Sequence, residues 1–453
     1  MTSTEYVLRL EETGDTLPIV RWLLYAHVLV APFFVYSVLF GRDIPSQWVV
    51  ASMAVIFALE FTRTGGRFVA DRTFLYLFLF FLAYGLSTFQ LVLTEPVNTV
   101  LNRAPLERAW AIDLRLVIVL VSYFVFLQFL AAAPDRLIWS LCRLQIIVGT
   151  VIAFFGIVQY VLAVAFHSNV LSAIAPTNES FALRSPIFRL GSERVFRSMS
   201  IFNEPSFFGF FLVPVVVKTA AAWQQQLYVG TRRMHAGILA ILIAAVVTNF
   251  SFTAILTLLS LTLFIVGLIA RRHPKVALGA IAGALVIVAT IWISPASSLA
   301  VERIRLLFQF RDLSALDRLL RVYTGTLVFL KSPWIGVGPG GYAYWYTRLG
   351  GLDYTILASP LNIWLSVLTD VGLLGMVPFF LFLANVIRRG IRNSANSPLV
   401  VVYLWTVIAY LVLLTTLDFW YLDIFWFEAA VLVRLSAGAM GDRIRFRSAF
   451  SPA

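Results

Sequence analysis

The chain has 453 residues, 60% of them hydrophobic and only 13% charged. Soluble domains carry nearer a quarter charged residues, so a water-solvated globular protein is excluded. The net charge of +12 reads first as basic cytoplasmic loops of a membrane protein, with no nucleic-acid partner expected, and the single cysteine, Cys142, excludes an internal disulfide framework or a cysteine metal cluster.

The polar, acidic opening is not expected to be a cleavable signal peptide, since Arg21 leads straight into a long apolar run. Apolar stretches long enough to cross about 30 Å of hydrocarbon then recur along the chain. About twelve spans are expected: 19–39, 46–62, 74–94, 111–133, 138–166, 203–222, 236–250, 252–270, 275–294, 359–387, 399–417 and 420–437. Only the polar step Thr248-Asn249 separates the seventh from the eighth. The fold expected is therefore all-α, a single polytopic transmembrane domain over 1–453.

Alternate loops carry the basic residues, among them Arg63, Arg67 and Arg72, Lys218, Arg232 and Arg233, and Arg388, Arg389 and Arg392. All fall on one side if both termini are cytoplasmic. The opposite side receives two long loops, 167–202 and 295–358. These hold Arg184, Arg189, Arg194 and Arg197, then Arg303, Arg305, Arg311, Arg318, Arg321, Lys331 and Arg348. Arginine's planar fork suits bidentate phosphate binding, which lysine matches poorly. A genome that encodes arginine wherever a cation serves would leave the same bias.

Four segments can carry chemistry. Arg197-Ser-Met-Ser-Ile-Phe-Asn-Glu-Pro-Ser206 closes the first long loop. Asn203 is the expected N-cap and Pro205 suits the first turn, so Glu204 sits at the positive end of a helix dipole. It either stabilises that helix start or performs acid–base work at the membrane edge. Ser314-Ala-Leu-Asp317 opens a short amphipathic helix over about 315–330. Arg318 and Arg321 share one of its faces with Gly325, as a diphosphate clamp or as a solvated face. Gly336-Val-Gly-Pro-Gly-Gly-Tyr342 lets backbone approach a ligand closely but lacks the Gly-Lys-Ser/Thr ending of a nucleotide loop. Ser359 to Gly375 returns the chain to the membrane with Asn362 and Asp370, polar groups that are costly there. Asp370 either serves function or pairs with a neighbouring arginine.

Asp113 and Arg115 lie near the outer end of the fourth span and, two residues apart, need different partners. Arg115 is a third phosphate ligand if it points into an outer cavity. The aromatics Tyr342, Tyr344, Trp345 and Tyr346 stack on sugar rings or form an interfacial belt. The four histidines show no ligand spacing, so no metal is expected.

These segments, in this order, resemble the O-antigen polymerase and ligase family (the Wzy and WaaL proteins). The matching patterns are Arg197 to Ser206, Ser314 to Arg318 followed by Pro333 to Gly338, and Asn362 to Gly375. Gly156-Ile-Val-Gln-Tyr160 in the fifth span is also similar. The resemblance covers about half the chain, from 150 to 430. It implies a multi-pass glycosyltransferase of the bacterial inner membrane, metal-independent and without cofactor. The donor would be an oligosaccharide on undecaprenyl diphosphate, presented at the periplasmic face and transferred with inversion. Membrane lipids and a chain-length regulator are the further partners it implies.

Such a reaction needs cations at the developing diphosphate charge and a base for the acceptor hydroxyl. Arg197, Arg318 and Arg321 are the expected cations, with Arg115 in addition and Asn362 among the substrate contacts. Ligases of the family carry a histidine just before the asparagine of the last motif, where this chain has Ser359-Pro360-Leu361. The polymerase branch is therefore favoured. Glu204 becomes the expected base, with Asp370 and Asp353 behind it. The nearer alternatives transfer glycan to lipid A or to protein. A flippase is the alternative of another class, and would predict internal repeats or broken, charged helices near the bilayer midplane.

Overall fold

A computed structural model describes residues 18–34, 44–64, 72–94, 105–131, 133–166, 187–190, 193–269, 278, 282, 313–350, 359–419 and 421–438. Apart from one hairpin the described elements are helices. In chain order they are α1 (Pro18–Val30), α2 (Pro45–Thr64), α3 (Arg72–Thr94), α4 (Pro105–Ala131), α5 (Asp135–Phe166), β1 (Ile187–Leu190) and β2 (Glu193–Phe196). There follow α6 (Pro205–Gln224), α7 (Arg232–Asn249), α8 (Phe252–Ile269), α9 (Leu313–Lys331), α10 (Tyr342–Gly350), α11 (Ile363–Asn393), α12 (Pro398–Leu414) and α13 (Asp423–Gly438).

Seven of these, α2 to α7 and α11, are long and apolar enough to cross a membrane by length and composition. Eleven of the expected spans fall on helices; the one at 275–294 lies almost wholly outside the described residues. The doubtful pair separates cleanly. Phe250 ends α7 in the left-handed region (φ 45°), and α8 begins two residues later.

The chain divides into two compact units. The first comprises Met1–Ser52, Ala133–Gln309 and Ser394–Leu413. Here α5, α6 and α7 pack together around a helix, α6, that is buried along most of its length. Such all-round burial is what an apolar helix inside a bundle gives. Gly149 and Gly156 on α5 permit the approach, since a Cβ at Gly156 would stand 2.7 Å from the Phe208 ring. Lys218, buried on α6, hydrogen-bonds to Gln145 and lies 4.7 Å above the Tyr403 ring.

The second unit comprises Met53–Ala132, Phe310–Asn393 and Leu414–Ala453. Its frame is α3 packed along α11, with α4 and α13 beside them and α9 and α10 at one end. Ring contacts fix the frame: Phe80 on Phe379 at 4.8 Å, and Tyr123 between Phe382 and Trp426 at 5.3 and 6.1 Å.

Within α11 the helix is broken. Gly372 stands at φ 60°, ψ −158°, far from helical geometry. The freed backbone groups find partners in the preceding loop. Val337 and Gly338 N–H donate to the Thr369 and Asp370 carbonyls at 2.8 and 3.1 Å, and Leu373 and Leu374 N–H to the Pro333 and Trp334 carbonyls at 2.8 and 2.9 Å. A membrane tolerates non-helical backbone only where such partners exist. Gly336 permits this pairing, since a Cβ there would lie 2.3 Å from the Asp370 carbonyl oxygen. At Gly336 the close approach is made by the fold's own backbone.

Candidate functional site

In the first unit, the segment 197–206 is held by two buried amides. Gln159 Oε1 on α5 accepts from the N–H groups of Met199 and Ser200, both at 2.9 Å, and its Nε2 donates to the Ser200 carbonyl at 3.4 Å. Ser200 Oγ donates to the Ile152 carbonyl at 2.7 Å. Asn249 Nδ2, at the end of α7, donates to the carbonyls of Ser198 and Pro205 at 2.8 and 2.9 Å. The polar step at 248–249 is thus a clamp on this segment as well as a separator of helices. Ser200 is held at φ 52°, a left-handed conformation a non-glycine residue adopts only where its surroundings fix it.

The helix start differs from expectation by one residue. Glu204, not Asn203, is the N-cap of α6, extended at φ −154°, with Pro205 in the first turn. The cause is local: a residue before proline is pushed out of the helical region. The Glu204 side chain makes no capping hydrogen bond. It is half-buried, as is Arg197 at the head of the segment.

Substituting Gln159 by leucine leaves two buried N–H groups and one carbonyl without their partner. Each such loss costs about 1–3 kcal/mol. Gln159→Leu is therefore expected to lower the unfolding temperature in detergent, and an unchanged temperature would remove the amide clamp.

The second unit holds four of the residues singled out in the sequence, and three of them, Arg318, Asn362 and Arg115, meet the connection between α12 and α13. Arg318 Nη1 donates to the Thr416 carbonyl at 3.0 Å, and Asn362 Nδ2 to the Thr415 carbonyl at 2.8 Å. Arg115 lies over the Tyr421 ring at 5.7 Å. Arg321 donates from Nε to Asp317 at 2.8 Å and from Nη1 to the Ser359 carbonyl at 2.7 Å, above the Tyr346 ring. Arg197 and Glu204 belong to the first unit.

Asn362 is the cap of α11, its Oδ1 accepting from Trp364 and Leu365 N–H at 3.0 and 3.2 Å. Its amide thus serves the fold. Tyr342 and Tyr346 are buried with Val328, and their hydroxyls donate to the Arg321 carbonyl and to Asp317 at 3.2 and 3.3 Å. Burial pushes the Tyr342 phenol well above its usual range. These tyrosines anchor α9 to α10, and with Tyr344 also buried only Trp345 retains part of the exposure that stacking on a sugar requires.

Asp370 is buried without an arginine ion pair among the described residues. Its Oδ1 accepts from Gly340 N–H at 3.1 Å, with Tyr84 beside it and the charges of Asp418, Arg108 and Asp113 within Coulombic reach. Asp113 accepts from Thr88 at 2.6 Å, and Ser366 Oγ donates to Asp418 at 3.1 Å. Sequence reasoning passed over Arg108, Tyr84 and the whole run Thr415-Thr416-Leu417-Asp418. The available signal was that run itself, four residues with three polar ones between two apolar spans.

Chemically, the second unit offers guanidinium groups, which suit an anion, and carboxylates, which can accept from a hydroxyl. A polytopic helical membrane protein with a cation-rich polar end is the class that this fold and site define. Residues 237–380 match the model of a protein family described as O-antigen ligase. The match runs from α7 into α11, bears out the resemblance to O-antigen polymerases and ligases, and indicates a membrane enzyme of that type. No curated protein matches the chain.

Proposed function

We propose that the protein is a polysaccharide polymerase of the bacterial inner membrane, with both termini cytoplasmic. It joins oligosaccharide repeat units carried on undecaprenyl diphosphate at the periplasmic face. The observation that carries this reading is the grouping of Arg115 and Arg318 around the α12–α13 connection, with Arg321 three residues along α9 from Arg318, in a chain whose residues 237–380 match the model of the O-antigen ligase family.

The acceptor hydroxyl attacks the anomeric carbon, its proton passes to a base, and undecaprenyl diphosphate leaves. Fixed guanidinium groups stabilise the charge that develops on the leaving diphosphate. Arg197 and Glu204, the further cation and the base expected from the sequence, belong to the first unit and are tested separately.

A strain carrying Glu204→Gln is expected to lose the ladder of lipid-linked glycans and to accumulate single repeat units at normal protein levels. An intact ladder would remove Glu204 as base. If full deletion of the protein leaves polymer length unchanged, the polymerase reading itself falls.

Transfer to lipid A is the second reading, favoured by the description of the matching family. It predicts that purified protein moves glycan onto lipid A instead of lengthening it. A flippase gains something from the broken helix α11. The break lies nine residues into α11, about 14 Å of helix, but its freed backbone groups are taken by the loop 333–338, where a transporter's broken helix offers them to substrate or ion.

A further inference from the structure

Along the second unit, α3 and α11 enclose an apolar groove of about 570 Å³, lined by Tyr76, Leu79, Leu86, Trp334, Leu374 and Leu381, among others. Several of these side chains are exposed: Leu86 56%, Leu374 48% and Trp334 70%. From Tyr76 to Leu86 the groove follows ten residues of α3, about 15 Å of helix. That is half of the roughly 30 Å hydrocarbon thickness, the depth of one leaflet.

Three residues before Trp334, which lines this groove, stands a cation. Trp334 follows Ser332, which accepts a hydrogen bond from Gln90, one turn beyond Leu86, at 3.3 Å. Lys331 immediately precedes Ser332 and ends α9. Its Nζ lies 4.6 Å above the Trp345 ring, and the Arg348 guanidinium stands 5.4 Å from the same ring. Both cations are exposed, and neither has a carboxylate partner among the described residues.

We propose that this groove binds one anionic glycerophospholipid, its acyl chain between α3 and α11 and its phosphate between Lys331 and Arg348. Charge complementarity selects the headgroup, and an aromatic flanked by cations is the usual furniture of a membrane interface. The groove's length favours an acyl chain, which one leaflet accommodates, over a much longer polyprenyl chain. The arginines assigned to the diphosphate lie elsewhere: Arg321 is ten residues before Lys331 on α9, about 15 Å away.

The test uses the full-length protein in nanodiscs, with a fluorophore on Leu86→Cys. The native Cys142 is buried, so labelling is site-specific. Brominated phosphatidylglycerol should quench the label at a roughly thirtyfold lower mole fraction than brominated phosphatidylcholine. That is the preference two interfacial cations give at about 1 kcal/mol each. In Lys331→Ala/Arg348→Ala the preference should vanish, while quenching by phosphatidylcholine, which reports an intact groove, remains. Equal quenching by both lipids in the unsubstituted background would overturn the proposal. So would a preference that survives the double substitution, or displacement of phosphatidylglycerol by stoichiometric undecaprenyl diphosphate. None of these readouts depends on glycan polymerisation, so the lipid site and the proposed activity stand or fall separately.

Discussion

Arg318→Ala should lower the polymerisation rate by a hundredfold or more, about 3 kcal/mol of transition-state stabilisation. The argument rests on where charge appears. Breaking the glycosidic bond to the diphosphate places new negative charge on the leaving oxygen, and a fixed guanidinium meets it without reorganising. The loss should fall on kcat more than on KM, because charge that develops only in the transition state is not bound in the ground state. The complication is structural: Arg318 Nη1 also donates to the Thr416 carbonyl, a charge-assisted bond of about 1.5–3 kcal/mol.

Arg318→Lys separates the two roles. Lysine keeps the positive charge but lacks the planar fork that reaches both a carbonyl and a phosphate. It should restore part of the rate over alanine without restoring the unfolding temperature. Purified variants assayed on undecaprenyl-diphosphate oligosaccharide in detergent, beside thermal unfolding, give both numbers. Equal unfolding temperatures with equal rates across all three proteins would sink Arg318 as a catalytic group.

The helices were legible because hydropathy acts on windows of eighteen or more residues, and each window averages over local irregularity. The pairing of Arg318 with Arg321 on one helix was legible for a similar reason, since a spacing of three on an amphipathic helix fixes the face. What escaped is set by contacts distant in sequence. Nothing local marks Gln159 and Asn249 as clamps for the segment 198–205. Their partners lie 40 to 51 residues away.

Two signals were present but outweighed. Gly-Ser at 191–192 is a dipeptide of the kind favoured in two-residue hairpin loops, inside a stretch read only as a loop. Glu204 as N-cap followed from Pro205 alone, but the better capping propensity of Asn203 drew the assignment one residue early. The break at Gly372 was hidden because glycine within an apolar run also reads as a tolerated helical residue.

That break underlies the second large effect. Gly372→Ala is expected to cost more than about 4 kcal/mol and to abolish recovery of folded protein. The backbone at φ 60°, ψ −158° belongs to glycine almost alone, which by itself costs a side chain about 1–3 kcal/mol. A Cβ there would meet backbone on the facing loop: the Trp334 carbonyl carbon and oxygen at 2.5 and 2.6 Å and the Gly336 nitrogen at 2.7 Å. Backbone cannot rotate aside as a side chain can, so the loop 333–338 must retreat. Retreat breaks the four hydrogen bonds that join 333–338 to 369–374, in surroundings where lost partners are not replaced by water. It also loosens Gly340 from Asp370, and with it the buried polar group around Tyr84. Gly85→Ala is the control, since a Cβ there meets nothing within 4 Å; inside helix α3 it should leave the fold intact and stabilise it by about 0.5–1 kcal/mol. Detergent size-exclusion yield and thermal unfolding of the two variants decide the matter. If Gly372→Ala behaves like Gly85→Ala, α11 can straighten at no cost, and the paired loop is not what holds Asp370 in place.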